Sequence, residues 1–348
     1  MLKTLKDFIF ENKRVLVRCD FNVPLDREGN ILDDFRIKQT LPTIEYLIEK
    51  GAKLLLVGHL GRPAGKVVES LRLTPIQNRL MEYLDVSVTK TPDCLGEEIE
   101  EWINEMQPGE ILLLENVQFN PGEKKNDPNF AEVLASYADI FILEAFGQAH
   151  RNYASIVGIP RHLPSGIGLL FEKEIKVLTD LIKNPKVPLV AIIGGAKVKT
   201  KVKLIDKILD KADWVLVNTL IKNELKEKNI KLKYPQKIIE PIDETKGKDI
   251  GPKTIDLFKE KIALAKTILW AGPLGKIEER PFQKGSEEIA KAIIESDAFS
   301  VAGGGETVEF INKIGLTEKF NHLSTGGGAM LDFIVDGKLV GIEALKYG

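Results

Sequence analysis

The chain has 348 residues, 43% of them hydrophobic and 29% charged, which leaves room for about two globular domains and argues against disorder. Forty-nine basic residues against 51 acidic ones leave a formal net charge of −2, so charge gives no reason to expect a nucleic-acid or membrane-surface partner. No run approaches the ~20 apolar residues of a membrane span, the start MLKTLKDFIFENK is too charged for a signal peptide, and Cys19 and Cys94 cannot form a disulfide framework, so a cytoplasmic location is expected.

In chain order the predicted strands are RVLVRC (14–19), KLLLV (53–57), ILLL (111–114), IFIL (140–143), PLVAII (188–193), WVLV (214–217), TILW (267–270), FSVA (299–302) and FNHLS (320–324). Between them lie helical patterns. FRIKQTLPTIEYLIEKG places Ile37, Leu41, Ile44, Leu47 and Ile48 at helical spacing and stops at Gly51. KVKTKVKLIDKILDKAD, EEIAKAIIES and ETVEFINKIG read the same way. Strands alternating with helices predict an α/β fold with parallel sheets. A seam is expected near residue 170, where GLLFEKEIKVLTDLIKN forms one amphipathic helix before NPKVP restarts a strand. The first half carries nine of the ten arginines, the residue suited to a bidentate grip on carboxylate or phosphate.

Ligands of open parallel sheets bind beyond the carboxyl ends of the strands. In the first half those ends supply Asp20, Asn22, His59, Arg62 and Arg151, a set suited to a small polyvalent anion. In the second half they supply glycine-rich turns entering helices, suited to phosphates held by backbone N–H groups. Lys197 and Lys201 in GGAKVKTK share one helix face, either flanking an anion or belonging to a solvated basic helix. Gly303–Gly305 and Gly326–Gly328 each join a strand to a helix, and Glu306 is a candidate for a magnesium ion bridging phosphates, or an ordinary first-turn acid. No P-loop, G-x-G-x-x-G, H-E-x-x-H, G-x-S-x-G or C-x-x-C occurs, which argues against P-loop, dinucleotide, metalloprotease, serine-hydrolase and dithiol chemistry.

Ten ordered segments resemble the signature stretches of the phosphoglycerate kinase family: RVLVRCDFNVPL, DDFRI, GHLGRPAG, ENVQFNPGEKKND, EAFGQAHRNYAS, GGAKVKTK, DIGPKT, AGPLGKIE, GGGET and STGGGA. The resemblance implies two Rossmann-like domains, joined by a helix and hinged around a cleft, that transfer phosphate between 1,3-bisphosphoglycerate and ADP with magnesium. It implies a 3-phosphoglycerate domain of residues 1–170 plus a returning tail, 331–348, and a nucleotide domain of residues 171–330. Asp20, Phe21, Asn22, Arg36, His59, Leu60, Gly61, Arg62, Gln118 and Arg151 match the acceptor site. Gly194, Gly195, Lys201, Glu278, Gly304, Gly305, Glu306 and Thr307 match the nucleotide site, with Glu306 toward the metal. Arg36, Lys197, Gly326, Gly327 and Gly328 match the groups around the transferred phosphoryl. The implied partners are small molecules alone, without nucleic acid or membrane, and the implied state is a monomer.

The chain departs from the family pattern at several places. Gln118 stands where the family has an arginine, so the acceptor pocket loses a cation; Glu144, Gln148, Tyr153 and Ala271 are also changed. NTLIKNELKEKN replaces the glycine-rich stretch near the adenine, and a segment before DIGPKT is missing, which implies a trimmed nucleotide domain. The alternative function is a paralogue that binds nucleotide or a phosphorylated acid for regulation.

Overall fold

The computed structural model describes residues 2–196 and 198–348. The chain divides into two units, Met1–Ile175 with Lys338–Gly348, and Lys176–Gly337. The first break falls inside one continuous helix, Leu169–Lys183, the segment where the sequence places the seam.

In the first unit the apolar runs become strands that are covered on both faces. They are β1 (Arg14–Arg18), β2 (Lys53–Val57), β3 (Val88–Lys90), β4 (Ile111–Leu113), β5 (Ile140–Leu143) and β6 (Ser165–Ile167). They form one six-stranded sheet in the order β3-β4-β2-β1-β5-β6, with every pair parallel. Alternate side chains Val15, Val17, Leu54, Leu56, Ile111, Leu113, Ile140 and Ile142 pack with Ile37, Ile44, Leu47, Ile76 and Leu80 from helices on one face. Leu16, Leu55, Leu112 and Phe141 point the other way and are also buried. A parallel sheet needs exactly this double cover, because its crossover helices lie on both faces.

The second unit repeats the plan. Its strands are β7 (Leu189–Ile193), β8 (Trp214–Val217), β9 (Ile238–Ile239), β10 (Glu244–Thr245), β11 (Asp249–Ile250), β12 (Thr267–Ala271), β13 (Phe299–Gly303) and β14 (His322–Leu323). Six of them build a parallel sheet in the order β14-β13-β12-β7-β8-β9, and β10 and β11 form a separate antiparallel pair. Trp270 is fully buried in the centre, its indole N–H donating to Gly272 O at 2.9 Å. At the ends of β7 and β12 the two backbones nearly touch. A Cβ on Gly194 would lie 2.1 Å from Pro273 O, and one on Gly272 would lie 2.2 Å from Gly194 O, so neither position tolerates a side chain.

The nine predicted strands are all present. The reading missed β3, β6, β9 and the β10–β11 pair, each of two or three residues and too short for periodicity to register. FNHLS contributes only His322 and Leu323 to a strand. Both cysteines are buried free thiols, and burial pushes each well above the ordinary thiol value.

The helix Leu169–Lys183 begins on side-chain acceptors from elsewhere in the first unit. Leu169 N donates to Thr43 Oγ1 at 2.8 Å, Leu170 N to Glu144 Oε1 at 3.1 Å, and Phe171 N to Glu144 Oε2 at 3.2 Å. These groups would otherwise have no acceptor, since the first N–H groups of a helix have none within it. Thr43 Oγ1 also donates to Glu144. Complete burial outweighs these bonds and raises the Glu144 carboxyl to about 8. Its folded pKa therefore exceeds its unfolded value, so its contribution to stability falls as pH rises from about 4.5 to about 8 and then levels off. Glu144→Gln is expected to lack this decline. The stability difference between variant and wild type, read by urea denaturation, should shift toward the variant by on the order of 1 kcal/mol per pH unit across that window. A difference independent of pH would show that Glu144 is ionised in the folded state.

Candidate active site

At the carboxyl edge of the first sheet, the loops after β1, β2 and β5 converge through hydrogen bonds. Asn22 N donates to Asp20 Oδ1 at 3.2 Å, Gly61 N to Asn22 Oδ1 at 2.8 Å, and Gln148 Nε2 to Asp20 Oδ2 at 3.3 Å. Arg36, in the first turn of the helix Phe35–Glu49, donates from Nη1 to Asn22 O at 2.7 Å and lies 3.5 Å from Asp20 Oδ1. These contacts fix one edge of its guanidinium while the side chain stays 25% exposed. Burial alone would raise the Asp20 carboxyl, but the charges of Arg36 and Arg18 and the Gln148 amide outweigh it and hold the group below its ordinary value. Asp20 is therefore an anion that fixes Arg36 in place.

His59 is also buried, and desolvation, aided by nearby Arg18 and Arg36, lowers its pKa to about 3 against the pull of Asp20. At neutral pH it is an uncharged imidazole, and its buried Nδ1 has no partner among the described residues. The Oε1 of buried Gln118 has none either. Unpaired polar atoms inside a protein are costly, so two of them in neighbouring loops point to groups that a ligand satisfies. Arg62 and Arg151 are exposed and, among the described residues, have no ion-pair partner. Phe21 and Leu60 are core residues, with Phe21 packed against Gly58, so they shape the loops and do not present polar groups.

Beneath these loops lies a fully buried arginine at the end of β1. Arg18 Nε donates to Ser155 Oγ at 2.6 Å, its Nη1 donates to Cys19 O, and its Nη2 lies 3.8 Å from Glu123 Oε1. Ser155 in turn donates from N and Oγ to Glu123, at 2.9 and 2.6 Å. The triad braces the segment after Arg151 against the one after Gln118.

In the second unit a cavity of about 300 Å³ opens at the carboxyl edge of the sheet, and Gly195, Glu278 and Glu306 line it. Gly304 and Gly327 approach so closely that a Cβ on Gly327 would lie 2.9 Å from Gly304 Cα. The turns that start the helices Gly305–Lys313 and Gly327–Asp336 therefore meet, and two sets of first-turn N–H groups, which have no acceptor within their own helix, lie side by side. Thr307 Oγ1 accepts from Gly272 N at 3.0 Å, which joins the β12 and β13 turns. Lys201, in the helix Val198–Ile208, is buried and donates to Ala271 O at 2.8 Å, tying that helix to the same turn. Lys197 lies outside the described residues.

Sequence reasoning missed several residues around both sites. Asn218, Thr219, Leu220, Lys248, Asp249 and Lys276 also line the cavity. Position at a strand end was the available signal for Asn218 and Thr219, which follow β8 directly. Gln148, a departure from the family pattern, holds Asp20 through its side-chain amide.

A family model described as phosphoglycerate kinase matches residues 5–232 and 217–338. The phosphoglycerate kinase of Dictyoglomus turgidum is 42% identical over 388 residues, covering 98% of this chain and 98% of the relative. That of Pelotomaculum thermopropionicum is 39% identical over 388 residues, covering 99% of this chain and 98% of the relative. The aligned length exceeds the 348 residues here, so these relatives carry segments with no counterpart in this chain. Among solved structures, phosphoglycerate kinase from Pyrococcus horikoshii OT3 superposes with a TM-score of 0.89 at 33% identity, covering 100% of this chain and 99% of that one. The enzyme from Coxiella burnetii gives 0.80 at 30% identity, covering 99% of each. With both sheets, both sets of strand-end loops and nearly every residue inside these matches, the chain belongs to the phosphoglycerate kinase family.

Proposed function

We propose the following division of labour within a phosphoglycerate kinase, an enzyme that moves a phosphoryl group reversibly between 1,3-bisphosphoglycerate and ADP to give 3-phosphoglycerate and ATP. The first unit binds the phosphoglycerate, and the second binds the nucleotide. The observation that carries the reading is the family match, which spans both units at once. A chain that kept only a binding function would need just one of them.

The chemistry asks little of acid–base groups. In the direction of ATP use, a carboxylate oxygen of 3-phosphoglycerate forms the new bond to the γ-phosphorus, and the bond from that phosphorus to the β-bridging oxygen breaks. The acceptor is already ionised at pH 7, so no base is required, consistent with the uncharged His59 and the fully engaged Asp20. What remains is positioning and neutralising charge on the equatorial oxygens. We assign Arg36 to that role in the first unit, and Lys197 with the Gly326–Gly328 turn in the second. Asn22, His59, Arg62 and Arg151 bind the acceptor. Gly194, Gly195, Lys201, Glu278, Gly304, Gly305 and Thr307 form the nucleotide site.

Among the described residues no group of three or more His, Cys, Asp or Glu side chains is placed to cage a metal. Magnesium does not need one, since it is held by one or two carboxylates together with substrate phosphates. Glu306 fits that role as an exposed carboxylate in the first turn of the helix Gly305–Lys313, on the cavity wall. When bound, the ion would neutralise phosphate charge. No helix among the described residues is long and apolar enough to cross a membrane, and we place the enzyme in the cytoplasm as a monomer.

A coupled assay with 3-phosphoglycerate, ATP and magnesium is expected to show turnover, and none at saturating substrate would overturn the reading. Arg36→Ala should lower kcat on the order of 10²–10³-fold, as for other groups that stabilise developing charge, while leaving the KM for ATP nearly unchanged. Near-normal turnover would mean that the wrong arginine has been chosen. Glu306→Gln should raise the magnesium concentration giving half-maximal rate by about tenfold, without changing the KM for 3-phosphoglycerate. An unaltered magnesium titration would remove Glu306 from the metal site.

A further inference from the structure

The strand-end loops assigned to the acceptor include an uncharged wall. Gln118 is buried, its main-chain oxygen accepts from Gly65 N at 3.2 Å, and its side-chain oxygen has no partner among the described residues. Val117 N, beside it, donates to Gly58 O at 3.1 Å, so this wall runs along the loop that holds His59. An amide can give a phosphate neutral hydrogen bonds but no charge.

The next element along the chain carries a cation with no ion-pair partner among the described residues. The short helix Pro121–Lys125 is held between the two loops that bear the exposed arginines. On one side a Cβ on Gly65 would come within 3.0 Å of Pro121 Cα, which places the loop of Arg62 against the start of the helix. On the other side Asn126 Nδ2 donates to Asn152 Oδ1 at 3.2 Å, which ties the end of the helix to the residue after Arg151. Within this helix Glu123 points inward and is taken up by Ser155 and Arg18. Lys124 is exposed and, among the described residues, has no hydrogen-bond or ion-pair partner. Its charge is also felt at His59, where it is one of the influences keeping the imidazole neutral.

We propose that Lys124 supplies the cation for the phosphate of 3-phosphoglycerate that the uncharged Gln118 does not, completing a cluster with Arg62 and Arg151. The inference rests on the first unit being the acceptor site. It explains how a pocket walled by an amide still grips a dianionic phosphate: the charge has moved from the strand-end loop to the helix after it. A lysine acts as a point charge on a flexible stem, so it can approach the phosphate without the fixed geometry that a guanidinium requires.

The test is equilibrium binding of 3-phosphoglycerate by calorimetry at fixed ionic strength, together with steady-state kinetics. Lys124→Met should raise the Kd and the KM for 3-phosphoglycerate about tenfold to a hundredfold, the loss typical of one charge-assisted contact. The kcat and the KM for ATP should stay within about twofold, because a contact to the remote phosphate acts equally on ground and transition states. Lys125→Met, which removes the neighbouring lysine of the same helix, should leave all four values unchanged. Gln118→Arg should restore affinity in the Lys124→Met background, since it returns a cation to the same phosphate. Equal binding by wild type and Lys124→Met would overturn the inference and leave the acceptor reading intact. A wild-type protein that binds no 3-phosphoglycerate would overturn the acceptor reading, and this inference with it.

Discussion

Parallel pairing is the constraint from which the rest of the molecule follows. Neighbouring parallel strands cannot be joined by a tight hairpin, so the chain must leave each strand at one edge and return through a helix. In both six-stranded sheets this puts every strand's carboxyl end on the same side. Asp20, His59, Gln118 and Gln148 come from four different strand ends and gather on that account, not through contacts among distant surface groups. The same constraint brings the turns of Gly194, Gly272, Gly304 and Gly327 together in the second unit.

Convergence alone does not set geometry, and the two units fix theirs differently. The first relies on charge held out of water. Arg18, Glu123 and Ser155 form a buried brace whose charges would be costly if unpaired, so removing one partner would leave the other stranded. The second relies on the absence of side chains. Its turns touch backbone to backbone, so their spacing is set by glycine where the first unit uses electrostatic attraction. The strand-end loops of the first unit thus present fixed side chains, and those of the second present helix N–H groups.

How much was legible in the sequence depended on the length of the signal. The long apolar runs of β1, β2, β7 and β12 show in the residue pattern alone, since each must be buried on both faces. The alternating helices between them gave the α/β class. Strands such as Val88–Lys90 and Ile238–Ile239 were not legible, because edge strands of two or three residues take their conformation from the neighbouring strand. The charged residues at strand ends stood out individually, whereas the role of Gln148 depends on a contact 128 positions away, with Asp20. The state of His59 was equally hidden, because its neutrality comes from burial and the surrounding guanidiniums. Neither can be read from a motif.

The buried state of both cysteines has a practical consequence. Cys19 lies in the core directly after β1 and Cys94 is equally enclosed, and burial disfavours the thiolate, the reactive form, in each. The native protein therefore offers thiol reagents almost no target. A single cysteine introduced at an exposed site in either unit would be labelled selectively without first removing the natural pair. Fluorophore or spin-label pairs placed in this way could follow the units through turnover in an otherwise unaltered core.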